Sequence, residues 1–194
     1  AGSPTTLLAN NIGLGSDSST VLPNGTNGVE SNAKVVIGDY ASLSNRNYIS
    51  SNKAAGILIS GTGASSSVIE NNAIGINSSG EDRGNETDGI VIKAGATDVL
   101  VGNNSGDTQS ISYNLQSGIE IDDINTLRAK ISKNDFLQNG LEPITVLNSA
   151  NNSILPTDVS ASTANSSGAS GTSTVASGIV LVFSGTGSNA AYKG

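Results

Sequence analysis

The chain has 194 residues, a formal net charge of −7 and 24 glycines, and it contains no cysteine, methionine, histidine or tryptophan. This acidic balance argues against a nucleic-acid partner, because nucleic-acid binding needs a basic surface. The absence of cysteine excludes disulfides and thiolate metal sites, and no apolar run reaches the roughly 18 residues of a membrane-spanning helix.

The first residues give little sign of regular structure. Residues 1–6 are predicted to be an irregular lead-in, and Ile12-Gly13-Leu14 resembles the end of a coil whose first strand is missing. No signal peptide or initiator methionine is visible, so we expect a processed end or a fragment of a longer chain.

A short word then recurs along the chain and predicts a solenoid. Asparagine is followed four residues later by glycine or proline and then by an aliphatic residue. The fifth positions of the copies lie 28, 33, 29 and 25 residues apart (28 → 56 → 89 → 118 → 143). Repeats of roughly 20–50 residues are typical of solenoids, propellers and arrays. The copies comprise Asn24 with Gly28, Asn52 with Gly56, Asn85 with Gly89, Asn114 with Gly118, and Asn139 with Pro143.

A longer repeat of 62 residues relates Asn10 to Asn72 and Asn72 to Asn134 (10 → 72 → 134), so two coils form one larger unit. Asparagine tolerates left-handed backbone angles, and its amide hydrogen-bonds locally at bends. We therefore expect two stacked amide ladders, one through the five repeat asparagines and one through Asn10, Asn72 and Asn134. The glycine before each strand is expected to supply a positive φ angle.

Short apolar bursts between Gly, Asn and Ser clusters predict strands rather than helices. Examples are Ile57-Leu58-Ile59, Ile90-Val91-Ile92 and Val99-Leu100-Val101. Three short strands per coil predict an all-β fold, a right-handed parallel β-helix of about five coils. The expected domain limits are 1–149 for the β-helix, followed over 150–194 by a Ser/Thr/Gly-rich linker and a C-terminal β segment.

On these motifs the chain resembles the right-handed parallel β-helix repeats of pectate-lyase-like folds. More narrowly, it resembles bacterial and archaeal surface proteins whose coils read N-x-I-x-x-N-x-x-x-G-I-x-I. The resemblance covers about Leu7 to Val146 and implies the fold. It leaves function open, because such proteins include lyases, hydrolases, adhesins and scaffolds.

Two matched pairs of polar insertions interrupt the repeat. Gly15–Asn27 and Asn77–Asp88 are expected to protrude from one edge, and Asp39–Arg46 and Asn103–Ser110 from another. The acidic residues of Asn77–Asp88 suggest a calcium loop, but their spacing matches no EF-hand-like pattern. We therefore expect a solvated turn there and no cofactor.

The acidic cluster Glu120, Asp122 and Asp123 raises the question of glycoside hydrolysis, which uses paired carboxylates. Asp122 and Asp123 are adjacent, so on a strand they would point to opposite faces. The hydrolase pattern also needs a histidine. A lyase-like mechanism would leave only Arg128 or Lys130 as the base. We therefore predict no catalytic residues.

Glycan binding usually relies on exposed aromatic side chains. Phe136 and Tyr48 lie within or beside apolar bursts and are expected to be partly in the core. Tyr40, in an insertion, is the best exposed candidate. A single such residue makes a poor platform for a sugar.

After about Ala150 the repeat stops, and residues 157–178 have the composition of a loose linker. Five apolar residues then predict a strand buried on both faces, with Thr172–Ala176 as its hairpin partner. This segment is either a cap, the start of a following domain, or a strand donated to a neighbouring subunit. It comprises Ile179, Val180, Leu181, Val182 and Phe183.

Six Asn-x-Ser/Thr sequons are candidate glycosylation sites, of which Asn77 and Asn85 are expected to be accessible on a protruding loop. The six are Asn24, Asn77, Asn85, Asn103, Asn151 and Asn165.

Together these features predict an extracellular or cell-surface protein with a structural or adhesive role and no enzymatic activity. The expected partners are further copies of the chain joined head to tail, other domains of a longer surface protein, or glycans. The alternative is a module that binds or degrades polysaccharide.

Overall fold

The computed structural model describes residues 3–102, 109–153, 159–165 and 168–173. Within them, three parallel sheets of five strands each wind around one core. Sheet 1 contains β1 (Thr5–Leu7), β4 (Val35–Ile37), β7 (Val68–Ile69), β10 (Leu100–Val101) and β13 (Lys130–Ile131). Sheet 2 contains β2 (Asn11–Ile12), β5 (Tyr48–Ile49), β8 (Ala73–Ile74), β11 (Gln109–Ser112) and β14 (Asn134–Leu137). Sheet 3 contains β3 (Val29–Ser31), β6 (Ile57–Ser60), β9 (Ile90–Lys93), β12 (Ile119–Ile121) and β15 (Ile144–Val146).

Each sheet takes one strand from every coil, so the predicted all-β parallel β-helix of about five coils is confirmed. The first coil is complete, which corrects the expectation of an irregular lead-in with a missing strand. Thr5–Leu7 forms β1 and pairs in parallel with β4. Its two threonines are exposed and only Leu7 is partly buried. The strand therefore lacks the burst of apolar residues by which a strand is recognised in the sequence.

The strand registers stack identical positions of successive coils into columns. One inward column of sheet 3 is aliphatic throughout, and it comprises Val29, Ile57, Ile90, Ile119 and Ile144. Sheet 2 contributes Ile12, Ile49, Ile74, Ile111 and Phe136. The resulting core extends continuously from Val35 to Ala150. Burial of such stacked apolar columns is what stabilises a solenoid, because each coil contacts only its neighbours.

The two predicted insertion edges are real corners of the coil. Gly15–Asn27 and Asn77–Asp88 both connect sheet 2 to sheet 3, in the first and third coils. Each insertion opens with an isolated antiparallel bridge, Leu14 with Val21 and Ile76 with Asp82. Asp39–Arg46 connects sheet 1 to sheet 2 in the second coil. Most of its predicted counterpart in the fourth coil, Asn103–Ser110, lies outside the described residues.

The glycine before each sheet 3 strand is needed for close approach and not for a positive φ angle, which corrects the sequence-based expectation. None of Gly28, Gly56, Gly89 and Gly118 has a positive φ angle. A Cβ atom on Gly89 would lie 2.6 Å from the carbonyl oxygen of Gly118 in the next coil. Any larger residue would therefore push the two coils apart.

Part of the predicted linker forms an antiparallel hairpin, in which β16 (Val159–Asn165) pairs with β17 (Gly168–Ser173). The prediction of a loose linker over 157–178 is therefore wrong for these residues. Thr172, expected to pair with the later apolar segment, pairs with Ser160. A hairpin ladder is formed by backbone groups, so a Ser/Thr/Gly-rich composition does not reveal it. The segment Ile179–Phe183 lies outside the described residues.

We predict that Gly89→Ala destabilises the fold by about 2 kcal/mol, because the new Cβ atom overpacks the space between two coils. Gly25→Ala is the matched control, since a Cβ atom there meets no heavy atom within 4 Å. Urea denaturation of the two variants measures the difference. Equal stabilities would show that the coils relax to accept the methyl group.

Candidate functional site

The five repeat asparagines form a continuous ladder of side-chain amides between sheets 2 and 3. Each Nδ2 donates to the Oδ1 of the asparagine in the next coil, over 2.8, 2.9, 2.8 and 3.0 Å. The members in order are Asn24, Asn52, Asn85, Asn114 and Asn139. This is the first ladder expected from the repeat spacing. Such amide ladders also stabilise stacked strands in cross-β structures.

The interior rungs have nearly all of their hydrogen-bonding capacity filled. Asn114 Oδ1 accepts from both the side chain and the backbone N–H of Asn85. Its Nδ2 donates to Asn139 Oδ1 and to the carbonyl oxygen of Ser112. Because Asn52, Asn85 and Asn114 are completely buried, these amides serve the stack and are not exposed to a ligand.

A second ladder runs along the corner that leads into sheet 2, and the sequence revealed only alternate rungs. Asn10 donates to Asn47, Asn47 to Asn72, Asn72 to Gln109, and Gln109 to Asn134, over 2.9–3.0 Å. Asn10, Asn72 and Asn134 were expected, whereas Asn47 and Gln109 were missed. The 62-residue repeat links only odd coils, and a glutamine in one rung hides the pattern. The signal that would have found them is an asparagine or glutamine at the first residue of each sheet 2 strand or directly before it.

We predict that Asn114→Ala lowers the free energy of unfolding by about 3 kcal/mol, since the buried backbone N–H of Asn85 loses its acceptor and the side-chain bonds to Asn85 and Asn139 are removed. The control is Gln116→Ala, an exposed amide of the same coil. Chemical denaturation compares the two. A loss of less than about 1 kcal/mol for Asn114→Ala would contradict the importance of a saturated ladder.

The outer face of sheet 3 carries an acidic cluster in the third and fourth coils. Glu120 projects outward between the buried Ile119 and Ile121, as the sequence predicted. Asp88 is only 4% exposed, and its Oδ1 accepts from the backbone N–H of Ser117 at 2.9 Å. Asp122 follows the strand and accepts from Asn148 Nδ2 at 2.7 Å.

Burial controls the protonation of this cluster. Desolvation raises the pKa of Asp88 above its usual range. The pKa of Glu120 is raised first by burial, then by the negative charges of Asp88 and Asp122, and the nearby Lys93 opposes this shift. Burial favours the neutral form of a carboxyl group. The cluster therefore combines partly desolvated acids with one cation.

The candidate bases lie on another part of the surface. Arg128 forms a bidentate ion pair with Asp98, with N–O distances of 2.8 and 2.6 Å. This guanidinium lowers the pKa of Asp98, and Lys130 adds a smaller effect in the same direction. Arg128 and Lys130 therefore interact with Asp98 near sheet 1, whereas Glu120 lies on sheet 3. Asp123 accepts from the backbone N–H of Asn125 in a turn.

The raised pKa values of Asp88 and Glu120 make stability depend on pH. A folded-state pKa above the unfolded value means that the folded chain binds more protons, so stability falls as pH rises through that interval. We therefore predict that acidification toward the ordinary values of 3.8 and 4.5 raises the melting temperature. Below pH 3.8, Asp17 contributes in the opposite direction. Its pKa is lowered to about 2, so the stability that its carboxylate contributes is lost as the pH falls toward that value.

The double variant Asp88→Asn/Glu120→Gln tests this pH dependence by thermal melting. Its melting temperature is expected to change less between neutral pH and about pH 4.5 than that of the unaltered chain. Asp82→Asn, at an exposed position of an insertion, is the control and should leave the profile unchanged. An unaltered profile in the double variant would rule out this cluster as the source.

The insertion considered as a calcium loop is arranged around its own backbone. Asn77 Oδ1 accepts from the backbone N–H groups of Ser79 and Glu81, and Asn77 Nδ2 donates to Glu81 Oε2 at 2.7 Å. Arg83 also lies 3.4 Å from Glu81 Oε2. Over the described part of the chain, no group of three or more acidic, histidine or cysteine residues is arranged to hold a metal ion.

Three sequons are buried in the folded chain, which corrects the expected accessibility of Asn77 and Asn85. Asn77 is 1% exposed, Asn85 is 0% exposed and Asn151 is 5% exposed. Asn24 is exposed, but its Nδ2 is committed to the ladder. Asn103 and the side chain of Asn165 lie outside the described residues. Asn85 is a rung of the buried ladder, whereas the side chain of Asn77 is hydrogen-bonded within its own loop, to Ser79 and Glu81.

The aromatic side chains divide between core and surface. Phe136 packs against the core as predicted, and Tyr40 is 53% exposed. Tyr48 was expected to be partly in the core, but it alternates with the inward-facing Ile49 and therefore faces outward. In its column it lies beside Ala73, whose small side chain leaves room for the ring.

The chain matches no protein-family model, and no curated protein or solved structure is detectably similar to it. Among the residues that the structure describes, no helix has the length and apolar character needed to cross a membrane. Function is therefore inferred from the surfaces and contacts described above.

Proposed function

We propose that this chain is a structural or adhesive β-helix of the cell surface or extracellular space, and that it acts as a stiff rod. The observation that carries the proposal is the pair of amide ladders that span all five coils. Such ladders fix the spacing and direction of every coil at once. Their amides hold the stack together, which supports a mechanical or spacing role.

The composition supports an extracellular setting. The chain has no cysteine or methionine, few charged residues and many short polar ones. The resemblance of its repeats to those of prokaryotic β-helix surface proteins also favours this setting. In this setting the corner insertions, such as Asp39–Arg46 with the exposed Tyr40, present polar loops along the side of the rod.

We further propose that copies join end to end through the apolar segment Ile179–Phe183. The edge strands of a β-helix present unpaired backbone groups to which an added strand can bind. A strand donated by a neighbouring copy uses the same backbone hydrogen bonds as an internal strand. A head-to-tail contact that does not close generates an open fibre.

Negative-stain microscopy across a concentration series tests this assembly. Filaments are expected for the unaltered chain, and Val180→Asp/Val182→Asp should abolish them by placing charges in the donated strand. Ser177→Asp/Ser184→Asp adds the same charge beside the segment and is the control. Dispersed rods at every concentration, or filaments that survive the valine substitutions, would contradict strand donation.

The alternative function is binding or cleavage of a polysaccharide, and the acidic cluster of Asp88, Glu120 and Asp122 is the observation in its favour. A screen of neutral and acidic polysaccharides tests it, with Glu120→Gln as the variant and Glu30→Gln, an exposed acid in the same column, as the control. Cleavage that Glu120→Gln removes and Glu30→Gln retains would establish this alternative over the structural role.

A further inference from the structure

The corner that leads into sheet 3 repeats one backbone contact in every pair of coils. The N–H of each repeat glycine donates to the carbonyl oxygen of the residue that precedes the equivalent position in the next coil. These bonds join Gly28 to Ala55, Gly56 to Asp88, Gly89 to Ser117 and Gly118 to Glu142, over 3.0–3.1 Å. Each coil therefore needs a free N–H at this position to receive the next one.

The same corner also leaves no space for a side chain. A Cβ atom on Gly28, Gly56, Gly89 or Gly118 would lie 2.6–2.7 Å from the carbonyl oxygen of the equivalent residue in the next coil. On Gly28, Gly56 and Gly89 it would also lie within 2.9 Å of the ladder amide of that coil. Glycine is thus required wherever another coil follows.

Pro143 occupies the position of the repeat glycine in the fifth coil. It has neither the N–H that each repeat glycine donates nor the absence of a side chain that the close approach requires. Its carbonyl oxygen accepts from the N–H of Ile119 below, at 2.9 Å, so it takes part normally in the contact with the fourth coil. On the other side it offers no N–H, and its ring places Cβ and Cδ where a further coil would lie. Proline is confined to sheet edges for this reason.

The outward columns change in the same coil. In sheet 1 the aliphatic column Val36, Val68 and Leu100 ends with the exposed Lys130. In sheet 2 the column of Tyr48, Ala73 and Ser110 ends with the exposed Asp135. Charged side chains and proline on edge strands are devices that prevent edge-to-edge association.

We propose that Pro143 is a built-in stop that prevents a second copy of this chain from stacking coil on coil at the end formed by β13, β14 and β15. This goes beyond the proposed structural role: it excludes direct stacking of one coil on another at this end and leaves strand donation by Ile179–Phe183 as the proposed route by which copies join. It predicts that glycine at position 143 converts this end into a docking surface for the first coil of another copy.

The ladder polarity identifies which end of the second copy would dock. Among the contacts of the described residues, Asn139 Nδ2 makes one hydrogen bond, to the carbonyl oxygen of Ile111. One of its hydrogens thus remains for a further rung. At the opposite end, Asn24 Oδ1 accepts no hydrogen bond from the described part of the chain, whereas every later Oδ1 in this ladder accepts one. Asn139 of one copy therefore matches Asn24 of the next, head to tail.

Sedimentation velocity of the full chain across a concentration series tests the proposal. Pro143→Gly is expected to self-associate about tenfold or more tightly than the unaltered chain, the effect of roughly one or two restored hydrogen bonds. Pro143→Ala regains the N–H but keeps Cβ, so its gain should be smaller. Melting curves of both variants establish that they are folded.

Two further variants examine the role of the ladder. In the Pro143→Gly chain, Asn139→Asp replaces the free donor by an acceptor and should remove the gain, whereas Gln116→Glu, the same change at an exposed amide, should retain it. The proposal is overturned if folded Pro143→Gly associates no more than the unaltered chain. It is also overturned if Asn139→Asp leaves the gain intact, or if alanine gains as much as glycine.

Discussion

The backbone hydrogen bonds between successive coils are the constraint on which the rest of this structure depends. They fix neighbouring strands about 4.8 Å apart, so every side chain is repeated at that spacing along the stack. Apolar positions become columns of isoleucine and valine, and corner positions become amide ladders because an amide both donates and accepts along the same line. Positions where two coils touch through their backbones, such as Gly56 and Gly89, leave no room for a Cβ atom.

This constraint also separates the residues that maintain the rod from those that face its surroundings. The interior asparagines of the ladders are buried and hydrogen-bonded to one another, so the most regular polar residues of the sequence are structural. The outward columns vary from coil to coil, from Leu58 and Val91 to Glu120 and Thr145 on sheet 3. Recognition by this protein would therefore involve the irregular positions and the corner insertions.

The structure separates the acidic cluster of sheet 3 from Arg128, one of the two candidate bases that the sequence suggested. A lyase-like site needs its base beside the acidic cluster, but Arg128 is held by Asp98 on a different part of the surface. The partly buried Asp88 and Glu120 have raised pKa values, which is a property of functional sites and of structural clusters alike.

The sequence by itself determined the repeat, the three strands per coil and the first ladder, because the period of the asparagines and aliphatic residues reports directly on stacking. It did not reveal β1, since Thr5 and Thr6 are exposed. It also missed the rungs Asn47 and Gln109, since the 62-residue repeat links only odd coils and a glutamine stands in one rung. It also predicted that Asn77 and Asn85 are accessible, although Asn85 is a rung of the buried ladder and Asn77 is buried within its own loop. Which residues face inward at a corner, how closely glycines approach the next coil, and why Pro143 ends the series are decided by contacts between coils. Those contacts join residues 24–37 positions apart, so only the tertiary structure specifies them.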